Sequence, residues 1–196
     1  MPYLTFLDTE TTGLPKHQKI NALNGPDNWP DIVSVAWAVY KDGKLMKSRY
    51  SLIKPDGWRI PQESIRIHGI TEAVAHATGS NLDKVLMELK DDLQKSEAVV
   101  AHNIDFDKNV IFNAYRWRLD LNPWLIWPAW DICTMNRSED ELKLPSKFPT
   151  TNRPYKSPKL SELYEATFSQ KMEGAHNSQK DVEALSKIYW ARWGHD

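Results

Sequence analysis

Two carboxylates two residues apart, Asp8 and Glu10, end the apolar run that begins at Tyr3. On a β-strand, residues i and i+2 point to one face, with Cα atoms about 6.5–7 Å apart. Carboxylates on that spacing can share a pair of divalent cations about 3.5–4 Å apart. Gly13 follows and permits a tight turn beside them. The same two acids would also serve merely to solvate a strand end.

Two later clusters offer further acids. His102-Asn103-Ile-Asp105-Phe106-Asp107 lies where a strand-like run, 97–102, meets an amphipathic helix marked by Phe106, Val110, Ile111 and Ala114. Asp107 then falls in the first helical turn, where a side chain can meet the end of the first strand of an α/β sheet. The helix dipole alone also favours an acid there. Asp105 reads as the helix N-cap. The other cluster is His176-Asn-Ser178-Gln-Lys-Asp181, in which Ser178 and Asp181 match a capping box. Within one helix, His176 and Asp181 would stand about 140° apart. To serve one site, His176 must lie in the preceding loop and fold back, which a helix start at Ser178 allows. A histidine placed so can act as a general base at neutral pH.

The elements that must position these residues follow from periodicity. Residues 3–8 read as a buried strand, 15–31 as a long Pro/Gly-broken loop, and 32–40 as a second strand. Asp42-Gly43 signals a hairpin into a third strand over 44–53. Pro61 can open a short helix ending near His68-Gly69. Leu82, Val85, Leu86, Leu89 and Leu93 predict an amphipathic helix over 81–95. A fifth strand is expected near 130–134, irregular chain over 135–157, and helices from Pro158 to Phe168 and from about 179 to 193. The pattern is an α/β fold, a mixed sheet covered by helices.

Composition narrows the class. The 196 residues suit one domain, 1–196, carrying the insertion loop 15–31 and a basic, Pro-rich loop over 142–159. No apolar stretch approaches a membrane span, and no basic region followed by an apolar run opens the chain, so a cytoplasmic protein is expected. Cys133 is the only cysteine, which excludes an intramolecular disulfide. It reads as a buried apolar residue rather than a nucleophile. Net charge is −1, which does not mark a nucleic-acid binder, but the distribution is uneven. From Leu142 to Ser161 there is no acid, while Lys143, Lys147, Arg153, Lys156 and Lys159 alternate with Phe148 and Tyr155. Such a stretch can attract phosphates and stack bases, or form a solvated surface loop. Trp37 reads as core. Trp124, Trp127 and Trp130 cluster in a Pro-rich stretch as packing or as a contact surface.

Taken in order, Asp8-Thr-Glu10-Thr-Thr-Gly13-Leu14, His68-Gly-Ile70-Thr71, Ala101-His102-Asn103-Ile-Asp-Phe106-Asp107 and His176 to Asp181 resemble the DEDDh group of 3′-to-5′ exonucleases. The resemblance spans nearly the whole chain. It implies an RNase H-like fold with a five-stranded mixed sheet flanked by helices. It implies that Asp8, Glu10, Asp107 and Asp181 hold two divalent cations, Mg²⁺ or Mn²⁺, and that His176 deprotonates the attacking water. It further implies that Thr9, Thr11, Gly13, Leu14, His68, Ile70, Thr71, Asn103 and Phe106 hold the terminal nucleotide. The implied partner is a nucleic-acid 3′ terminus, single-stranded DNA before RNA, with a polymerase or repair partner conceivable. The third segment departs from the His-Asp-Ala pattern frequent in relatives, reading His176-Asn177-Ser178. Two other readings compete. A haloacid-dehalogenase-like phosphatase also starts from a strand ending in paired acids, but Glu10 and the lack of a later Gly-Asp-x3-Asp segment oppose it. A non-catalytic nucleic-acid binder on the same fold is opposed by the complete acid set and His176.

Overall fold

The computed structural model describes residues 3–151 and 153–194. The side chain of Arg153, part of the expected basic run, lies outside the described residues. Strand β1 (Tyr3–Thr11) is the central strand, and it is apolar at nearly every position up to Leu7 because helices cover both of its faces. It continues three residues beyond the expected end, carrying Asp8 and Glu10 within the strand. β2 (Ile32–Lys41) pairs antiparallel with it, with a register shift between Glu10 and Thr11. Asp42 and Gly43 both take positive φ (52° and 74°), the two-residue turn whose twist suits a hairpin, and β3 (Lys44–Leu52) returns antiparallel to β2.

Three helices follow. α1 (Gln62–His68) starts after Pro61 and ends at Gly69, whose φ of 75° is the left-handed helix stop. α2 (Glu72–Thr78) was not expected from periodicity, since only Ala75 of its seven residues is buried. Its start is nevertheless marked, because Thr71 caps it and accepts the Val74 N–H at 3.3 Å. α3 (Leu82–Leu93) buries Val85, Leu86, Leu89 and Leu93 as its spacing predicts. β4 (Ala98–Ala101) then runs parallel to β1, α4 (Ile104–Arg118) crosses over, and β5 (Trp130–Cys133) runs parallel to β4. Strand order is β3-β2-β1-β4-β5, the five-stranded mixed sheet of the RNase H-like fold.

The expected irregular stretch 135–157 is instead ordered. α5 (Thr134–Leu142) is polar on most positions and buries only Thr134 and Ser138, so it lacks a long apolar stripe. β6 (Pro145–Thr150) and β7 (Arg153–Tyr155) form a separate two-stranded hairpin in place of the expected basic loop. Its prolines are tolerated because both strands are edges. α6 (Leu160–Phe168) and α7 (Ser178–Arg192) complete the chain. One core lies between α3, α4 and the sheet face bearing Leu7, Val35, Trp37 and Val99. The other lies between α6, α7 and the face bearing Phe6, Ala36, Ala38 and Val100. Cys133 is only half-buried at the end of the edge strand β5, correcting the buried reading. Trp37 is core, and Trp127 packs edge-on to Phe112, whereas Trp124 and Trp130 stay exposed. No described helix is long and apolar enough to cross a membrane.

Candidate active site

The alternation of β1 divides its C-terminal residues between the two cores. Asp8 and Glu10 follow Leu4 and Phe6 onto the face packed by α7, while Thr9 follows Leu7 toward α4. α7 approaches the first face through a polar contact, where the hydroxyls of Ser178 and Ser34 lie 2.9 Å apart in the interior. Ser34 stands opposite Glu10 in the β1–β2 ladder. That contact fixes Asp181, one turn into α7, beside Glu10. One oxygen from each of Asp8, Glu10 and Asp181 then lies within 4.8 Å of the others.

Because Ser178 is drawn inward, it does not cap the helix as expected. Asn177 does so, its side chain accepting the Lys180 N–H at 3.2 Å. The chain enters through His176, which takes a left-handed φ of 65°, an uncommon conformation for a residue with a side chain. His176 is exposed at the rim, and the N–H groups of His176 and Asn177 face the Asp181 carboxylate. The fold-back that a shared site requires is therefore present.

Asp107 reaches the same strand end from the other face. It is 3% exposed, and its Oδ1 accepts both the N–H of Thr9, at 2.9 Å, and its hydroxyl, at 2.7 Å. It is not among the three acids whose oxygens lie within 4.8 Å of one another, but it is close enough to raise the pKa of Asp8 and Glu10. Asn103, not Asp105, is the cap position of α4. Its φ of 67° is a turn conformation that asparagine tolerates, and Asp105 falls in the first turn.

Burial is the first cause that lifts all four acids, and repulsion from neighbouring acids adds to it at Asp8, Glu10 and Asp107. Glu10 is pushed up to about 8. Asp107 is raised to about 7 in spite of its bonds from Thr9. Asp181 rises to about 6 against the two N–H groups that favour its anion. Asp8 lies well above the usual carboxylate range. Among the described residues, no Lys or Arg pairs with any of them. Crowded, buried anions without a cation are costly, and oxygen-seeking divalent cations fit such a donor set.

Asp8 and Asp181 open onto a cleft of ≈ 410 Å³ lined also by His102 and His176, with Ser157–Ser161 as one wall. A larger hollow of ≈ 1020 Å³, by Leu4, Ala98 and Trp130, lies at the other end of the sheet and touches none of these acids. Of the residues expected to hold a terminal nucleotide, Asn103 lines the cleft. Thr9 turns its hydroxyl to Asp107. Thr11 donates to the Gly13 carbonyl at 2.7 Å, shaping the turn that leaves Leu14 74% exposed. The His68 ring accepts the Ile70 N–H at 3.0 Å and lies against the Thr11 backbone, with its Nε2 buried. Ile70 packs with Val33, Ile60 and Ala75, and Phe106 packs on Trp29. His102 was not singled out as a site residue. Its Nε2 donates to the Pro158 carbonyl at 2.9 Å and its Nδ1 meets the Thr134 hydroxyl at 3.0 Å, tying the cleft wall to the sheet. A polar residue ending a buried strand, five before Asp107, was the available signal.

Comparison with known proteins agrees with this geometry. The RNase T exonuclease family profile matches residues 5–189. No curated protein matches the chain. Among solved structures, a zinc-bound complex of E. coli exonuclease I with single-stranded DNA superimposes with a TM-score of 0.72 at 21% identity, covering 100% of this chain and 42% of that one. Exonuclease I from Methylocaldum szegediense gives a TM-score of 0.68 at 18% identity, covering 99% and 41%. Exonuclease X in complex with 5′-overhanging duplex DNA gives 0.59 at 24% identity, covering 97% and 93%. The chain thus spans about two fifths of exonuclease I and nearly all of exonuclease X.

Proposed function

The chain belongs to the DEDD-type 3′-to-5′ exonuclease family, and from that premise we propose that residues 1–196 act as one domain that removes nucleotides from the 3′ end of DNA with the help of two divalent cations. The observation that carries this reading is the convergence of Asp8, Glu10 and Asp181 within 4.8 Å, crowded and without a cationic side chain. These three hold the cations, Mg²⁺ or Mn²⁺, together with Asp107, whose charge reaches the same site. Bound there, such cations lower the pKa of a water and stabilise charge on the leaving oxygen.

The remaining roles belong to the protein. His176, at the rim and free of helical geometry, accepts the proton of the attacking water. Its exposure lets the proton pass on to solvent after each cycle. Asp107 is oriented toward the site by the two Thr9 donors to its Oδ1. Asn103 contacts the terminal nucleotide in the cleft, and Thr11, Gly13 and Leu14 present backbone and an apolar side chain to its base, beside the His68–Thr71 segment. A DNA substrate is supported by the full-length likeness to the exonuclease X–DNA complex.

The test is nucleotide release from a 5′-labelled DNA strand, with RNA and duplex DNA as parallel substrates. Release stepwise from the 3′ end, dependent on Mg²⁺ or Mn²⁺, is the expected result. Binding without release would favour a non-catalytic binder, and phosphate release from small esters alone would favour a phosphatase.

A further inference from the structure

The β6–β7 hairpin has no place in the site described above. It belongs to neither core, and it bears Phe148, which is 87% exposed. A large aromatic side chain held away from the core is unusual on a surface otherwise built of Lys, Pro, Ser and Thr. Lys147, next to Phe148 in β6, and Lys143, just before the hairpin, are exposed and form no ion pair among the described residues. Lys156 is different, since it is held by Glu162 and its charge is offset. No acid lies between Leu142 and Ser161, so the hairpin itself carries charge of one sign.

The hairpin is also tethered to the cleft. Its base closes where the Lys156 N–H meets the Leu144 carbonyl at 3.0 Å. The next residues, Ser157 to Ser161, are the cleft wall, pinned by His102 to Pro158 and by Ser157 to Glu139. Pro145 pairs with Tyr155 at that base. Phe148 stands three residues farther, about 10 Å along the strand. A strand of nucleic acid entering the cleft by its 3′ end would pass the hairpin only after several nucleotides.

Resting on the exonuclease reading of the cleft, we propose that this hairpin grips single-stranded DNA upstream of the scissile bond. Phe148 stacks on a base, and Lys143 and Lys147 hold flanking phosphates. Stacking on an aromatic platform flanked by cations is the chemistry by which single strands are held without sequence preference. The grip acts on affinity and on retention between cycles, and not on the bond-breaking step.

The experiment is binding of a fluorescent oligothymidylate of about 20 nucleotides in EDTA, where no turnover is needed. Phe148→Ala is expected to weaken binding about 10-fold or more. Lys147→Ala is expected to reduce the slope of log affinity against log salt by about 0.7. Both substitutions lie on exposed positions, and unchanged thermal melting verifies the fold. Affinity for a trinucleotide, too short to span both cleft and hairpin, stays as in the wild type. Unchanged affinity for the long strand in both variants overturns the proposal, as does an equal loss on long and short strands. If the wild-type protein releases no nucleotide while the variants still lose long-strand binding, the exonuclease reading fails and the grip stands.

Discussion

Asp92 and Asp181 are both buried aspartates on helices packed against the central sheet, on opposite faces. Asp92, 7% exposed, accepts the Trp37 indole N–H at 2.8 Å and the Lys47 ammonium at 2.5 Å. Lys47 also reaches Glu88, which Arg49 holds in turn and whose carboxyl is lowered by that contact. Here the cost of burying a carboxylate is offset within the chain. Around Asp181 it is not. Its neighbours are Asp8, Glu10 and Asp107, and the Asp181 charge helps to raise all three. Equal residue types and similar burial therefore divide into a region whose charge is paired within the chain and a region whose charge is not.

The largest effect that can break this comparison is on activity. Asp181→Asn is expected to abolish nucleotide release while leaving the metal-free protein at least as stable, because it removes repulsion along with a ligand. A variant that instead unfolds would make Asp181 chiefly structural, like Asp92. His176→Ala follows, with turnover lowered about 10²–10⁴-fold and strand affinity retained. Near-normal turnover would remove His176 from the chemistry. On the other side of the comparison, Asp92→Ala leaves the Trp37 N–H buried without an acceptor. It should cost about 1–3 kcal/mol in denaturant unfolding, with activity per folded molecule unchanged. The smallest effect is expected for Thr9→Val, which removes one of two donors to Asp107 and keeps its shape. It should cost about 1 kcal/mol or less and lower turnover by a modest factor. A loss as large as that of Asp181→Asn would move Thr9 into the site.

Much of this was legible in the residues. The strict two-residue spacing of Asp8 and Glu10 after an apolar run fixed their common face, and the Asp42-Gly43 turn fixed the hairpin beside them. Helical spacing of leucines placed α3 because that helix buries one whole stripe. The misses share a cause. α2, α5 and the β6–β7 hairpin bury few side chains, so hydrophobic periodicity carries little of their signal. The acids that come together were legible, but their scaffolding was not. The cap moved from Ser178 to Asn177 because Ser178 pairs with Ser34, 144 residues away. Asp107 is held by Thr9, 98 residues away, whose N–H and hydroxyl both donate to its Oδ1. Contacts so distant in sequence leave no local pattern.

The central claim is that the crowded acids are a cation site, and thermal unfolding tests it most directly. The folded protein holds protons on these acids that the unfolded chain releases. Metal-free stability should therefore fall as pH rises from about 4, the ordinary carboxylate range, to the raised values of about 6 to 8. Bound Mn²⁺ replaces those protons, so its effect must grow over the same window. At pH 8, Mn²⁺ at about 100 times its dissociation constant should add about 2.7 kcal/mol, or about 5–10 °C in melting temperature, and much less at pH 5. Asp8→Asn with Asp181→Asn should remove the shift. A melting temperature that ignores Mn²⁺ at pH 8 would contradict the account.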